Sequence, residues 1–357
     1  MTNAIINGLK QNGLEIVFFA ICQVQSEAKA IMNSYKNIVD KIIVLPSAFG
    51  IGVPKYKMLT KLLYHTAIDT FYRKEYRKVI LELEMKPDII IAHSPSMESV
   101  FYGTIMRQYY STASYYQYWS DPIALSGITP DALNIKRVPF RFIESRAMEK
   151  ADKIIFGTKT LMMFQKKLYS KLARKMTYID IPYVEKKIDI QEIIPHSILY
   201  AGNYHKNIRN IEPLIDAVEQ MEGYRLDIYG DGEINDRLLH NTHVHGRISS
   251  EELSGIEGKY EYLVCVLNHS CIQIPGKIFY DMARKVKIIV LADGNYKGEL
   301  CSYLRQYDRF VVCNNTSSEI KEQIISASSS EVDYEIIKKK FSPKKICSDL
   351  LNGGICN

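Results

Sequence analysis

The stretch Ile198-Leu199-Tyr200-Ala201-Gly202-Asn203-Tyr204-His205-Lys206-Asn207, continued by Leu226-Asp227-Ile228-Tyr229-Gly230-Asp231-Gly232-Glu233, decides the fold. Its first four residues form a continuous apolar run of the kind a strand buried on both faces requires, and the run ends at a glycine. Apolar residues then recur at Ile211, Leu214, Ile215 and Val218, a 3.6-residue period that predicts a helix starting near Arg209. A second apolar run closes on Gly230 and Gly232. Strand, glycine turn, helix, strand, glycine turn is one unit of a doubly wound α/β sheet.

Glycines at the carboxyl ends of parallel strands let backbone approach a ligand closely, and a following helix offers unpaired N–H groups to an anion. Lys206 and Arg209 add two cations there. Each charge-assisted hydrogen bond contributes about 1.5–3 kcal/mol, enough for two cations to hold a diphosphate. The alternative is plainer: glycine turns close every βα unit, and basic residues near helix starts are commonly solvated. The pattern is echoed at Ile274–Ala283, where Pro275 and Gly276 make a turn and Lys277 places a third cation.

These residues resemble a family. Tyr200-Ala201-Gly202-Asn203-Tyr204, the helix Asn210–Ala217, Asp227–Gly232, His245-Gly246-Arg247-Ile248 and Ile274–Ala283 are similar to the donor-binding half of GT-B glycosyltransferases of the "group 1" type. The resemblance implies two Rossmann-like doubly wound domains facing across a cleft. It also implies a donor site made of Gly202, Asn203, Lys206, Arg209, Gly230, Gly232, Arg247, Ile248, Gly276, Lys277, Tyr280 and Asp281, the backbone after Gly246 contacting the nucleotide base. Retaining members of the family carry two glutamates with seven residues between them. One register puts Ile272 and Tyr280 at those positions, and a register shifted by one puts Gln273 and Asp281 there, so retention of anomeric configuration is left open.

At 357 residues the chain fits two domains of roughly 150–180 residues. The boundary is expected between Asp180 and Pro195, giving an acceptor-side domain over 1–182 and a nucleotide-sugar domain over 196–357, with the last helices packing back on the first. A content of 46% hydrophobic and 24% charged residues is globular. Seven cysteines without a Cys-x-x-Cys pair argue for reduced, mostly buried thiols rather than a zinc site or disulfide framework. No apolar run reaches the roughly 18 residues that span a bilayer, and the first residues are not a signal peptide, so a cytoplasmic location is expected.

The N-terminal half follows the resemblance in outline. A short helix around Ala4, Ile5, Ile6 and Leu9, capped by Asn3 and ended by Gly13, precedes the strand Glu15–Ile21. In the family a strand and glycine-rich loop come ahead of that helix. Their absence here means either a start site placed too late or a gap in the sheet.

Further strands are expected at Lys41–Pro46, Asp88–Ala92, Ser114–Trp119 and Ala151–Phe156. His93 follows the isoleucine run and Asp121 follows the aromatic strand, both at strand carboxyl ends where open α/β sheets hold ligands. His93 resembles a histidine the family points at the reacting groups, or else caps a neighbouring helix. Asp121 suits proton abstraction from an acceptor hydroxyl, or else initiates a turn before Pro122.

Two basic amphipathic segments, Lys55–Lys78 and Lys159–Lys175, fit an anionic membrane surface or an ordinary surface helix with its apolar stripe inward. A net charge of +6 permits membrane binding, and no nucleic-acid motif accompanies it.

The resemblance as a whole implies a metal-independent transferase without a cofactor, since there is no Asp-x-Asp cluster. It would move a sugar from a nucleoside-diphosphate sugar to a glycan or lipid-linked acceptor, in surface polysaccharide or glycolipid assembly at the inner face of a membrane. A non-catalytic partner of an active transferase, or a sugar-nucleotide epimerase of the same fold, would share most of these features.

Overall fold

The computed structural model describes residues 2–22, 24–47, 77–84, 86–94, 97–121, 138–184, 192–269, 272–327 and 334–355. The described residues form two compact units: Ile181–Ser342, and those before it together with those from Pro343 onward. Most of the Lys55–Lys78 segment lies outside the described residues.

The N-terminal unit opens with helix α1 (Thr2–Gln11), which begins one residue before the Asn3 read as its cap. Gly13, at φ 81°, ends it as expected, its N–H reaching the Lys10 carbonyl. Strand β1 (Val17–Cys22), helix α2 (Gln25–Tyr35) and strand β2 (Lys41–Pro46) follow, and β1 and β2 pair in parallel. Then come β3 (Ile89–Ser94), α3 (Met97–Tyr109), β4 (Ser114–Trp119), α4 (Val138–Glu149), β5 (Lys153–Phe156), α5 (Lys159–Leu168) and β6 (Met176–Tyr178). These strands make a separate parallel sheet, ordered β3-β4-β5-β6. Among the described residues no strand joins β1 to β3, and the described strands form two separate sheets.

Helix α5 turns Leu161 and Met162 into the core. The apolar stripe of the second basic segment is therefore already used in packing, and Met163 is its exposed apolar residue.

The C-terminal unit carries one six-stranded parallel sheet. In chain order its elements are β7 (Ile194–Ala201), α6 (Glu212–Val218), β8 (Arg225–Tyr229), β9 (Thr242–Gly246), α7 (Ser250–Ile256), β10 (Tyr260–Val266), α8 (Lys277–Tyr280), β11 (Lys287–Ala292), α9 (Lys297–Arg305), β12 (Phe310–Asn314), α10 (Ser317–Ala327) and α11 (Tyr334–Phe341). The strand order is β12-β11-β10-β7-β8-β9.

Ile211, Leu214, Ile215 and Val218 are all buried against Ile198, Leu226, Ile228 and Val264, which is the stripe read from the sequence. Burying each such side chain stabilises the unit by about 1.5–3 kcal/mol. Helix α7 starts at a capping box, with Ser249 accepting from the Glu252 N–H and Glu252 accepting from the Ser249 N–H. The final helix α12 (Pro343–Leu351) belongs to the N-terminal unit, where Gly8 of α1 lies against the Pro343 backbone and Cys347 donates to the Ile5 carbonyl.

Candidate functional site

In the C-terminal unit the chain adds β8 and β9 on one side of β7, then crosses back to lay β10 on the other. The two connections leave in opposite directions, so a crevice opens between the carboxyl ends of β7 and β10, the place where open α/β sheets bind ligands. A cavity of about 60 Å³ lies there, with Tyr200 and Ala201 from β7, Cys265 from β10, and Arg209, Lys277 and Asp281 in its lining. That volume holds a water or two. Burial pushes the Cys265 thiol up to about 11, so it is protonated and inert.

The loops beyond β7 and β8 rest backbone on backbone. Gly202 N–H donates to the Tyr229 carbonyl, Tyr204 N–H to that of Asp231, and Gly230 N–H to that of Gly246. A Cβ on Gly230 would lie 2.6 Å from the Gly202 carbonyl carbon, and one on Gly232 would strike the Tyr204 backbone. These glycines are there for close approach of chain to chain. Arg247 ties the third loop to the first two, its guanidinium 2.8 Å from Asp231 and donating at 2.9 Å to the Asn203 side chain. Ile248 beside it is half-buried.

The cations are held differently from one another. Arg209 donates from Nε to Asn268 Oδ1 at 2.7 Å, which aims the rest of its guanidinium beside Gly202. Lys206 is exposed on the turn between them. Lys277 is 2.8 Å from the buried Glu257 carboxylate, which also faces Arg284 at 3.4 Å, and Arg284 in turn pairs with Asp281 at 3.0 Å. Lys277 is thus one corner of a partly buried charge network.

The helices offer less than the sequence suggests. Helix α6 begins at Glu212, three residues after Arg209, and runs only seven residues, because Pro213 sets its first turn and Gly223 turns the chain back towards β8. Helix α8 is a single turn. Helix dipoles this short add little, which leaves the side chains and loop N–H groups as the groups here that could meet an anion. Of the two registers, Asp281 is the buried one and lines the cavity, whereas the Tyr280 ring folds over Gly276. The Gln273 carbonyl accepts from the Asn268 amide.

In the N-terminal unit His93 and Tyr118 are register partners on β3 and β4, and their rings stack with centroids 5.3 Å apart. Burial pushes the His93 imidazole down to about 4, so it is neutral near pH 7. Asp121 is exposed just past the end of β4 and accepts from the Ser120 hydroxyl at 3.0 Å. Both residues therefore sit at carboxyl ends of adjacent strands.

The sequence reading missed Asn268 and Glu257, which hold Arg209 and Lys277 in place. A signal for Asn268 was present: it is the first polar residue after the apolar run of β10. Glu257 gave none, since a glutamate after a helix looks solvated. Among the described residues no group of three or more His, Cys, Asp or Glu side chains is placed to hold a metal ion, and no helix is long and apolar enough to cross a membrane.

No protein-family profile matches the chain, and no curated protein matches it by sequence. Its structure is similar to solved ones. The Anabaena protein HepE, in complex with UDP and glucose, aligns over 98% of this chain and 94% of its own with 10% identity and a TM-score of 0.59. A glycosyltransferase from Rickettsia africae aligns over 98% and 92% with 12% identity and a TM-score of 0.59. The lipopolysaccharide outer core galactosyltransferase WaaB, in its apo form, aligns over 95% and 99% with 12% identity and a TM-score of 0.54. The chain has the GT-B fold, with two units of parallel sheet and helices, that these glycosyltransferases share.

Proposed function

We propose that this GT-B chain is a glycosyltransferase that moves a sugar from a nucleoside-diphosphate sugar to an acceptor hydroxyl. The observation that carries the reading is Arg209, oriented by Asn268 at the mouth of the crevice between β7 and β10. The acceptor oxygen attacks the anomeric carbon as the bond from that carbon to the diphosphate oxygen breaks. Negative charge then grows on the leaving diphosphate, where Arg209, Lys206 and the loop N–H groups near Gly202 would meet it. Positive side chains can supply that stabilisation without a metal ion. The base of the nucleotide would rest near Arg247 and Ile248, and its ribose near Tyr280 and Asp281. His93 and Asp121 are the groups proposed to receive the acceptor proton.

The acceptor is a glycan or lipid-linked saccharide in surface polysaccharide or glycolipid assembly, used at the cytoplasmic face of a membrane. That setting has the support of WaaB, a galactosyltransferase of the lipopolysaccharide outer core, and of the basic residues Lys166 and Lys167 on α5. A thermal-shift series with UDP, GDP, dTDP and CDP tests the donor site. One nucleotide should raise the melting temperature, and the rise should vanish in Arg209→Ala. No shift with any nucleotide would defeat the reading.

A non-catalytic nucleotide-binding role is favoured by a separate observation: Lys277 is engaged by Glu257, and neither register supplies the glutamate pair. Binding without sugar hydrolysis or transfer across the same donors would select that role.

A further inference from the structure

The first turn of α1 touches His93. Thr2 Oγ1 lies 3.3 Å from Nδ1, while Nε2 is closed off from solvent and has no hydrogen-bond partner among the described residues. A neutral imidazole carries one proton, on one nitrogen or the other, and the bond made by one nitrogen fixes the state of its twin. The threonine hydroxyl can either donate or accept. Were it to donate, the proton would sit on Nε2 as a buried N–H with no partner among the described residues, an arrangement folded proteins rarely keep. Were it to accept, Nδ1 would hold the proton and Nε2 would present a bare lone pair.

We propose that Thr2 is a positioning residue: its hydroxyl accepts the Nδ1 proton of His93, leaving Nε2 as the lone pair that takes the proton from the acceptor hydroxyl. The stacked Tyr118 ring holds the plane of the imidazole, and Thr2 fixes its protonation pattern. This rests on the transfer reaction proposed above. In that step the acceptor O–H bond breaks towards Nε2, the oxygen bonds the anomeric carbon, and the diphosphate leaves with the electron pair of the bond it loses. The imidazolium formed keeps its Nδ1–H bond to Thr2. Nε2 is closed off from solvent, so the acceptor hydroxyl reaches it only as the site rearranges around substrate, as catalytic geometries often complete only with substrate present.

The test uses the full chain with ¹⁵N-labelled histidine and long-range ¹H–¹⁵N correlation at pH 7.5, the His93 signals being identified by their loss in His93→Gln. Wild-type protein should show a protonated Nδ1 and a lone-pair Nε2. Thr2→Val should move the proton wholly or partly to Nε2, and Thr2→Ser should keep the wild-type pattern. In sugar transfer, Thr2→Val should lower kcat by roughly tenfold or more with the donor KM within about twofold, and Thr2→Ser should restore it. A wild-type Nε2–H, an unchanged pattern in Thr2→Val, or the expected pattern without a change in kcat would each overturn the proposal. The tautomer is read without turnover. A chain that transfers nothing would therefore defeat the reaction while leaving the hold of Thr2 on His93 to be decided by the spectrum.

Discussion

Replacing Gly230 by alanine is the most direct trial of the loop architecture around the crevice. Its φ of 149° is a region that favours glycine, and the added Cβ would stand 2.6 Å from the Gly202 carbonyl carbon and closer still to the oxygen. An ordinary contact needs about 3.5 Å, so the two loops must separate by about an ångström. That separation strains the N–H bonds from Gly202 to Tyr229 and from Tyr204 to Asp231, now 2.9 and 3.0 Å. Two such bonds contribute about 2 kcal/mol together. The unfavourable backbone adds about 1–3 kcal/mol. A loss of about 3–5 kcal/mol lowers the melting temperature by roughly 6–20 °C in a unit of this size.

Gly223→Ala is the matched control, with φ at 78° and no atom within 4 Å of its Cβ, so it feels the backbone term alone. Calorimetry of both variants decides the matter. If Gly230→Ala is no less stable than Gly223→Ala, the backbone contact between the loops is not what holds them.

Lys277→Ala removes a partner from Glu257 within a charge network that is only partly shielded by Arg284, and should destabilise the apo protein by about 1–3 kcal/mol in chemical denaturation. Glu257→Gln with Lys277→Ala should cost less than the two single losses added together, as expected of residues in contact. His93 sets a pH dependence. Its folded pKa of about 4 lies below the ordinary 6.5, so the unfolded chain binds the proton more readily between those values. Stability should be complete above pH 6.5 and fall by up to about 3 kcal/mol as the pH drops to 4, and His93→Gln should flatten that slope in urea titrations at fixed pH.

The parts of the fold legible in the sequence were those with one unambiguous period. Ile198–Ala201, Ile89–Ala92 and the stripe Ile211, Leu214, Ile215, Val218 came through because continuous apolar runs and 3.6-residue spacing each have one physical solution. Strand β6, the three residues Met176–Tyr178, has no periodicity of its own and is a strand only because β5 pairs with it. The start of α6 slipped from Arg209 to Glu212 because Pro213 sets the first turn, a backbone constraint that the apolar pattern does not record. In the site, glycines and cations were visible as residue types. Their partners Asn268 and Glu257 were not, since a side chain's neighbour across 20 or 59 residues is a matter of packing.

The two separate sheets of the N-terminal unit bear on how that unit breathes. A continuous parallel ladder opens as a whole, because each strand's amides are locked by the next. Here, among the described residues, β1 and β2 share a ladder only with each other, and they reach α3 through Ser47 bonding Glu98 and Phe19 meeting Tyr102. Side-chain ties of that kind transmit little when backbone amides let go. The β1–β2 pair can therefore exchange its amide hydrogens with solvent in openings that leave β3–β6 intact, as a separate cooperative unit with its own, smaller opening free energy.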